Sequence, residues 1–269
     1  MSGYSPACNI KIEMKKILFD FRQRLADEIK YIFSSNWTFK DVGEHWNRTM
    51  CYDDINEKTY TYFRRFVDAH DLFNLPDKKK VLDICSRTGN GSVYFWQKGK
   101  IEEVVCADVA GKMEKICCDN LSKYKINFKT RHFESYPLPF ENNEFETILS
   151  FETIEHLPDP KIYLKELYRI LVAGGYLVLT MPNILWGPAH WIAAIFNIHH
   201  SEGPHGFIRN NKVKRWLRKT GFKIIRYNTF ILIPGGPECL LKCGEWLEKT
   251  LPVPVVNLLG LRRIYICQK

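Results

Sequence analysis

The stretch VLDICSRTGNG, residues 81–91, decides the fold. Its first half is apolar and β-branched and reads as a strand. The second half turns at once into a helix beginning near Ser92, and Gly89 and Gly91 supply the backbone freedom such a turn needs. In a doubly wound sheet this turn lies at the carboxyl end of the first strand, where a ligand approaches the backbone closely. A Gly-x-Gly alone is weak evidence. Asp108 strengthens it: it closes the next apolar run, EEVVCAD, and an acid there can accept both hydroxyls of a ribose. Many nucleotide-binding enzymes share that pair, so it does not set the reaction.

Working outward, INFKTRHF, FETILSF and GGYLVLTMP read as further strands, alternating with helical stretches at residues 92–97, 112–121 and 160–171. Strands and helices of these lengths in alternation mean βαβ crossovers and a parallel sheet. The last of these helices has Ala173-Gly174-Gly175 as its expected stop. After Asn183 an excursion runs to about residue 209. A helix at 211–219, a strand at 222–231, a short helix at 239–250 and a final strand at 262–267 follow. Upstream, apolar residues recur at Ile10, Met14, Ile17, Leu18, Phe21, Leu25, Ile29 and Ile32, the spacing of one face of a long amphipathic helix. A second helix runs to about Leu75. Residues 1–79 thus form a helical addition and residues 80–269 an α/β domain.

The 269 residues lie near the upper size of one hydrophobic core, about 250–300 residues, so one elaborated domain is expected. A hydrophobic fraction of 45% and an aromatic fraction of 14% exclude a disordered chain. The formal charge of +9 favours an anionic substrate, nucleic acid or an acidic membrane surface, or reflects a solvated basic face. Nine cysteines, an odd number, point to reduced thiols and a cytoplasmic setting. Neither Cys117-Cys118 nor Cys239 and Cys243 have zinc-ligand partners at the right spacing, so no metal is implied. The longest apolar stretch, residues 184–198, is interrupted by Gly187, Pro188 and His190 and falls short of the roughly 20 residues that span a bilayer.

With these motifs in fixed order, the segment VLDICSRTGNG…VVCADVAGKM…FESYPLPFENNEFETILSFETIEHLPDPKIYLKELYRILVAGGYLVLTMPN resembles the class I S-adenosylmethionine-dependent methyltransferases, in the group that includes the quinone-biosynthesis methyltransferases. The resemblance covers residues 80–183 and resumes at 212–226. It implies a Rossmann-like, seven-stranded, mostly parallel sheet with helices on both faces and a cap inserted after the fifth strand. The implied cofactor is S-adenosyl-L-methionine, with S-adenosyl-L-homocysteine as product. By the same resemblance, Asp83 and the loop carrying Cys85, Arg87, Gly89 and Gly91 surround the methionine end, and Asp108 binds the ribose. Val109 and Met113 flank the adenine, Glu134 accepts its amino group beside the Ser135 N–H, and Phe151 and Glu152 lie where the sulfonium points.

Cys85 and Arg87 depart from the pattern, since the family has glycine at both positions. Arg87 either pairs with the cofactor's carboxylate, points outward on a rearranged turn, marks a defunct site, selects a modified cofactor, or marks a change in the group transferred. His156, in TIEHLPDP, is the candidate general base; the alternative is that it packs against the following turn. The excursion ILWGPAHWIAAIFNIHHSEGPHGFIR supplies Trp186, His190, His200 and His205 as candidate acceptor-binding residues. It forms a cap over the acceptor, or a helix that touches a membrane peripherally. Trp46, Tyr52, Tyr60 and Tyr62 either close over the cofactor or simply pack. The expected acceptor is a small molecule, bulky and partly apolar from the aromatic cap and anionic from the charge, methylated on oxygen, with carbon or nitrogen as the alternatives. An RNA acceptor is the lesser alternative, because no RNA-binding module or stacking motif accompanies the domain.

Overall fold

The structure is a computed structural model and describes residues 22, 25–26, 28–31, 36–48, 59–77, 79–196 and 203–269. Most of the expected first helix, together with Tyr52 and His200, lies outside the described residues. Five strands form the parallel part of the sheet: β1 (Lys79–Ile84), β2 (Ile101–Asp108), β3 (Asn127–His132), β4 (Phe145–Phe151) and β5 (Leu171–Pro182). They are followed by β6 (Lys223–Phe230) and β7 (Arg262–Gln268). The order across the sheet is β3-β2-β1-β4-β5-β7-β6, with β7 antiparallel to both neighbours. This is the seven-stranded, mostly parallel arrangement the motifs implied. The strand order reverses between β1 and β4, and in such sheets the crevice at that reversal receives the ligand.

Helices α1 (Phe39–Arg48), α2 (Tyr60–Leu72), α3 (Asn90–Gln97), α4 (Met113–Lys123), α5 (Pro160–Ile170), α6 (Gly187–Ile195), α7 (Asn210–Thr220), α8 (Glu238–Thr250) and α9 (Val253–Leu259) complete the described elements. Alternation along β1 explains the layering. Leu82 and Ile84 join the core that takes Tyr163, Leu164 and Leu167 of α5 and Val213 and Leu217 of α7. Val81 points the other way, into a core with Phe66 of α2, Phe95 of α3 and Leu121 of α4. A strand buried on both faces reads as a continuous apolar run, as VLDI does.

Local signals set the ends. Asp159 caps α5 by accepting from Lys161 N (3.1 Å) and Ile162 N (3.2 Å), with Pro160 in the first turn. Gly221, at φ 114°, stops α7 where an added Cβ would lie 2.8 Å from the Tyr168 ring. Two expectations need correction. The second helix ends at Leu72, not near Leu75, because Phe73 is already extended and packs towards the core. Ala173-Gly174-Gly175 is not a helix stop but part of β5, which starts directly at Leu171. The register with β4 shifts there, and Gly174 at φ 80° absorbs the irregularity. Among the described residues, no helix is long and apolar enough to cross a membrane.

Candidate functional site

The loop leaving β1 keeps a glycine-type backbone without the glycines. Cys85 and Arg87 have φ of 55° and 52°, next to Gly89 at 74°. Left-handed backbone at a non-glycine residue costs about 1–3 kcal/mol and persists only where neighbours enforce it. Here they do. Cys85 N and Ser86 N both donate to Ala107 O (2.7 and 3.3 Å), Gly89 N donates to Ser86 O (2.8 Å), and Arg87 N donates to Asp108 Oδ2 (2.8 Å). The other Asp108 oxygen accepts from Ala110 N (2.8 Å). Burial raises the Asp108 pKa against these hydrogen bonds.

Asp83 looks inward. Its Oδ2 accepts from Ser92 N (3.1 Å) and Ser92 Oγ (2.6 Å), fastening the start of α3 to β1. Burial pushes its pKa up to about 7, with the Ser92 bonds opposing and the Asp108 charge adding to the rise. Gly91 is required by packing, since a Cβ there would lie 3.2 Å from the Phe66 ring and 3.3 Å from Asp83 Oδ2.

Helix α1 closes the site from above. Thr38 N and Oγ1 both donate to Asp41 Oδ2 (2.7 Å each), a reciprocal cap that starts the helix. Gly43 brings it onto the Val109 carbonyl, where an added Cβ would sit 2.6 Å from the oxygen. One turn on, the Trp46 ring lies 4.0 Å under the Arg87 guanidinium and packs edge-on against His156 at 5.4 Å. Arg87 therefore points into the site, not outward. The space left among Val42, Trp46, Arg87, Asp108, Phe151 and His156 is about 40 Å³.

At the carboxyl end of β4, Glu152 also has a left-handed backbone, φ 49°. Its carboxylate is held between Arg65 Nη1 of α2 (3.1 Å) and Arg262 Nε of β7, while Arg262 Nη1 donates to Thr61 O (2.7 Å). This buried cluster locks α2 to the sheet end. His156 Nδ1 lies 3.0 Å from Pro204 O; a carbonyl only accepts, so Nδ1 carries a proton and the neutral ring has its lone pair on Nε2. Nε2 lies 4.0 Å from Glu155 Oε1.

On the far side of residues 155–157 opens a cleft of about 1420 Å³. Glu155 lines the cleft, His156 lines the small cofactor-side space, and Leu157 lines both. Trp191 and His205 contribute from the expected cap, Arg209, Lys212 and Arg215 from the start of α7, and Arg263 from β7. His205 is tied at both nitrogens, Nδ1 to Gly203 O (2.7 Å) and Nε2 as acceptor from Trp191 Nε1 (3.4 Å).

The remaining expected residues are spread out. Val109 and Phe151 line the space beneath α1, whereas the Met113 side chain is wholly buried in the core. Glu134 is exposed and paired with His132 Nε2 at 3.0 Å, and neither it nor Ser135 borders that space. Trp186 donates to Leu259 O (2.8 Å) and His190 packs on the Phe207 ring, so neither lines the cleft. No group of metal-ligating side chains occurs among the described residues. The sequence reading missed Arg263 and Asn257 of the cleft, and Arg65 and Arg262 around Glu152. An Arg-Arg pair opening a strand that is otherwise apolar, RRIYIC, was the available signal.

The donor set suits a nucleoside joined to a cationic amino acid: an acid at the end of β2, apolar walls from Val109, Phe151 and Leu157, and the Glu152 carboxylate beside them. Sites for ligands of that size measure about 300–1,000 Å³, so the chemistry fits while the space must widen at α1 or at the side chains of Arg87 and Trp46.

Sheet order defines a doubly wound α/β fold with a crevice at the β1/β4 crossing. A family profile described as a methyltransferase domain matches residues 56–227, more than half of the chain, and the protein belongs to that family. It is an S-adenosyl-L-methionine-dependent methyltransferase. The chain is 21% identical over 208 residues to the ubiquinone/menaquinone biosynthesis C-methyltransferase UbiE of Nitrosospira multiformis, covering 70% of this chain and 84% of that protein. It is 30% identical over 133 residues to the demethylmenaquinone methyltransferase of Staphylococcus saprophyticus, spanning 47% of this chain and 55% of that one. In fold it is similar to Haemonchus contortus phosphoethanolamine N-methyltransferase 2, solved with S-adenosyl-L-methionine. The TM-score is 0.60 at 14% identity, over 87% of this chain and 60% of that one.

Proposed function

We propose that the protein transfers a methyl group to an oxygen of a small, bulky, partly apolar acceptor seated in the open cleft. The observation that supports this reading is the common border at residues 155–157: Leu157 lines both the space beneath α1 and a cleft large enough for such a molecule, and His156 lies beside it on the inner side. Bound S-adenosyl-L-methionine supplies an electrophilic methyl on a sulfonium. Asp108 accepts from the ribose hydroxyls, residues 85–91 and Arg87 face the methionine end, and Val109 lies towards the adenine.

Transfer is an in-line displacement, so alignment and exclusion of water supply much of the rate. Trp46 and Val42 exclude water from the cofactor side. His156 Nε2 takes the proton of the acceptor hydroxyl as the oxygen attacks, and Glu155 balances the imidazolium that results. The Pro204 carbonyl fixes the tautomer for this role. The C-methyltransferase relatives favour a second reading with the same residues: a phenol deprotonated at Nε2 becomes nucleophilic at ring carbon as well.

The test is turnover with methyl-labelled S-adenosyl-L-methionine on hydroxylated aromatic acceptors, with the labelled position located by NMR. His156→Ala should lower kcat by about 10²–10⁴ at unchanged S-adenosyl-L-homocysteine affinity. Near-full turnover in that variant eliminates the base, and label on carbon selects the second reading.

A further inference from the structure

We infer that the inner wall of the cleft carries an oxyanion subsite, centred on Arg263, that receives a carboxylate or phosphate of the methyl acceptor. This inference rests on the reading of the cleft as the acceptor site and names a chemical feature of what enters it.

Arg263 is 5% exposed, yet its Nε and Nη1 have no hydrogen-bond partner among the described residues. Its position explains the burial. It pairs with Met181 of β5 on one side and Thr229 of β6 on the other, so its backbone lies in the middle of the sheet. Its neighbour in sequence, Arg262, faces the opposite side and is consumed by Glu152 and Thr61. Arg263 has no such acid among the described residues. Leaving guanidinium donors buried without acceptors is strongly unfavourable. Among residues that line the cleft, it is the group with most to gain from a ligand.

The surroundings point the same way. Arg209, Lys212 and Arg215 line the same cleft, and none of these or Arg263 forms an ion pair among the described residues. Two acids also line it. The Asp159 carboxylate is occupied in capping α5, and Glu155 lies beside His156. The four cations therefore outnumber the acids. Asn257 Oδ1, also on the cleft wall, is a buried acceptor with no partner among the described residues, which suits a hydroxyl or amide accompanying the anion. A planar guanidinium takes a carboxylate or phosphate through two parallel hydrogen bonds.

Inorganic phosphate and acetate, titrated separately into the full chain in chloride buffer and followed by calorimetry and thermal shift, test the subsite. Saturable binding of one or both is expected, weakened at least tenfold in Arg263→Met, unchanged in Arg218→Ala, and with S-adenosyl-L-homocysteine affinity unaltered in each. Which anion binds assigns the subsite to phosphate or carboxylate. If Arg263→Met fails to bind S-adenosyl-L-homocysteine, and so is misfolded, Asn257→Asp and Arg215→Glu replace it and should weaken anion binding by the same factor. Absence of saturable binding by the wild type, or wild-type binding in the variants, overturns the inference.

A second arm separates this from failure of the acceptor reading. Small molecules of a cell extract, split by anion exchange, are incubated with enzyme and methyl-labelled cofactor. Label in the anionic pool that is lost in Arg263→Met supports the subsite. Label confined to the neutral pool, with Arg263→Met as active as wild type, overturns the subsite but leaves a small-molecule acceptor. Label entering macromolecules alone overturns both.

Discussion

Cys85 and Arg87 occupy left-handed backbone that their side chains disfavour, and Arg87 draws back part of that energy by stacking on Trp46. The strain at one such position is about 1–3 kcal/mol and a partly desolvated cation–π contact returns about 0.5–2. Arg87→Gly removes both, so its unfolding free energy should stay within about 1 kcal/mol of wild type by chemical denaturation. A loss of several kcal/mol would show that the guanidinium does more than stack. Asp83 makes a sharper prediction. Its folded pKa is raised from 3.8 to about 7, so the native state holds a proton that the unfolded chain releases. The associated stability is complete below about pH 4 and disappears as pH rises towards 7. Asp83→Asn keeps an acceptor for Ser92, and in the absence of cofactor it should flatten the stability profile across that window. Asp68, raised to about 6 by burial against the pull of Arg64, leaves a residual slope at its acidic end. An unchanged profile in Asp83→Asn places the titration elsewhere.

At the level of elements, α1 is the piece whose docking is most easily perturbed on purpose. Gly43→Ala puts a methyl 2.6 Å from the Val109 oxygen, so one of the two backbones must shift. Overpacking of this kind costs about 1–3 kcal/mol. The cost should fall on α1 alone, read as faster amide exchange in residues 39–48 with the β1, β4 and β5 amides unchanged; uniform acceleration would mean that α1 is integral to the core. The sequence made the strands legible, because a sheet buried on both faces has to be written as apolar runs, and FETILSF is β4 residue for residue. Trp46 was among the aromatics expected either to close over the cofactor or to pack, but the sequence did not reveal the helix that carries it, α1, or its seat over the space beside Asp108. The contact is made by a glycine, Gly43, and a single tryptophan, and neither carries a periodic signal. It also misled at Ala173-Gly174-Gly175, where a glycine that can end a helix serves as well to bulge a strand.

For the molecule as a whole, cofactor binding competes with the packing of α1 or of the Arg87 and Trp46 side chains, and the measured affinity is the net of the two. S-adenosyl-L-homocysteine at about a hundred times its dissociation constant should still stabilise the fold by about 2.7 kcal/mol, visible as a rise in Tm that scales with the logarithm of ligand concentration. A concentration-independent Tm contradicts a site at the β1/β4 crossing. Of the residues singled out by order and spacing, Asp108 and Phe151 border the space beneath α1, whereas Asp83 turns inward to Ser92. Of the open cleft only His205 and the cap segment were singled out, because the rest is assembled from Asn257, Arg209 and Arg263, which are distant in sequence and follow no motif. The wall at residues 155–157 also bears on how the two halves fill. One compartment lies beneath α1, and the other stands open on the opposite side of His156, so neither ligand blocks the other's entrance. Initial-rate patterns should accordingly be those of random addition, with an acceptor able to arrive first and wait, and with S-adenosyl-L-homocysteine inhibiting against both substrates through a dead-end complex.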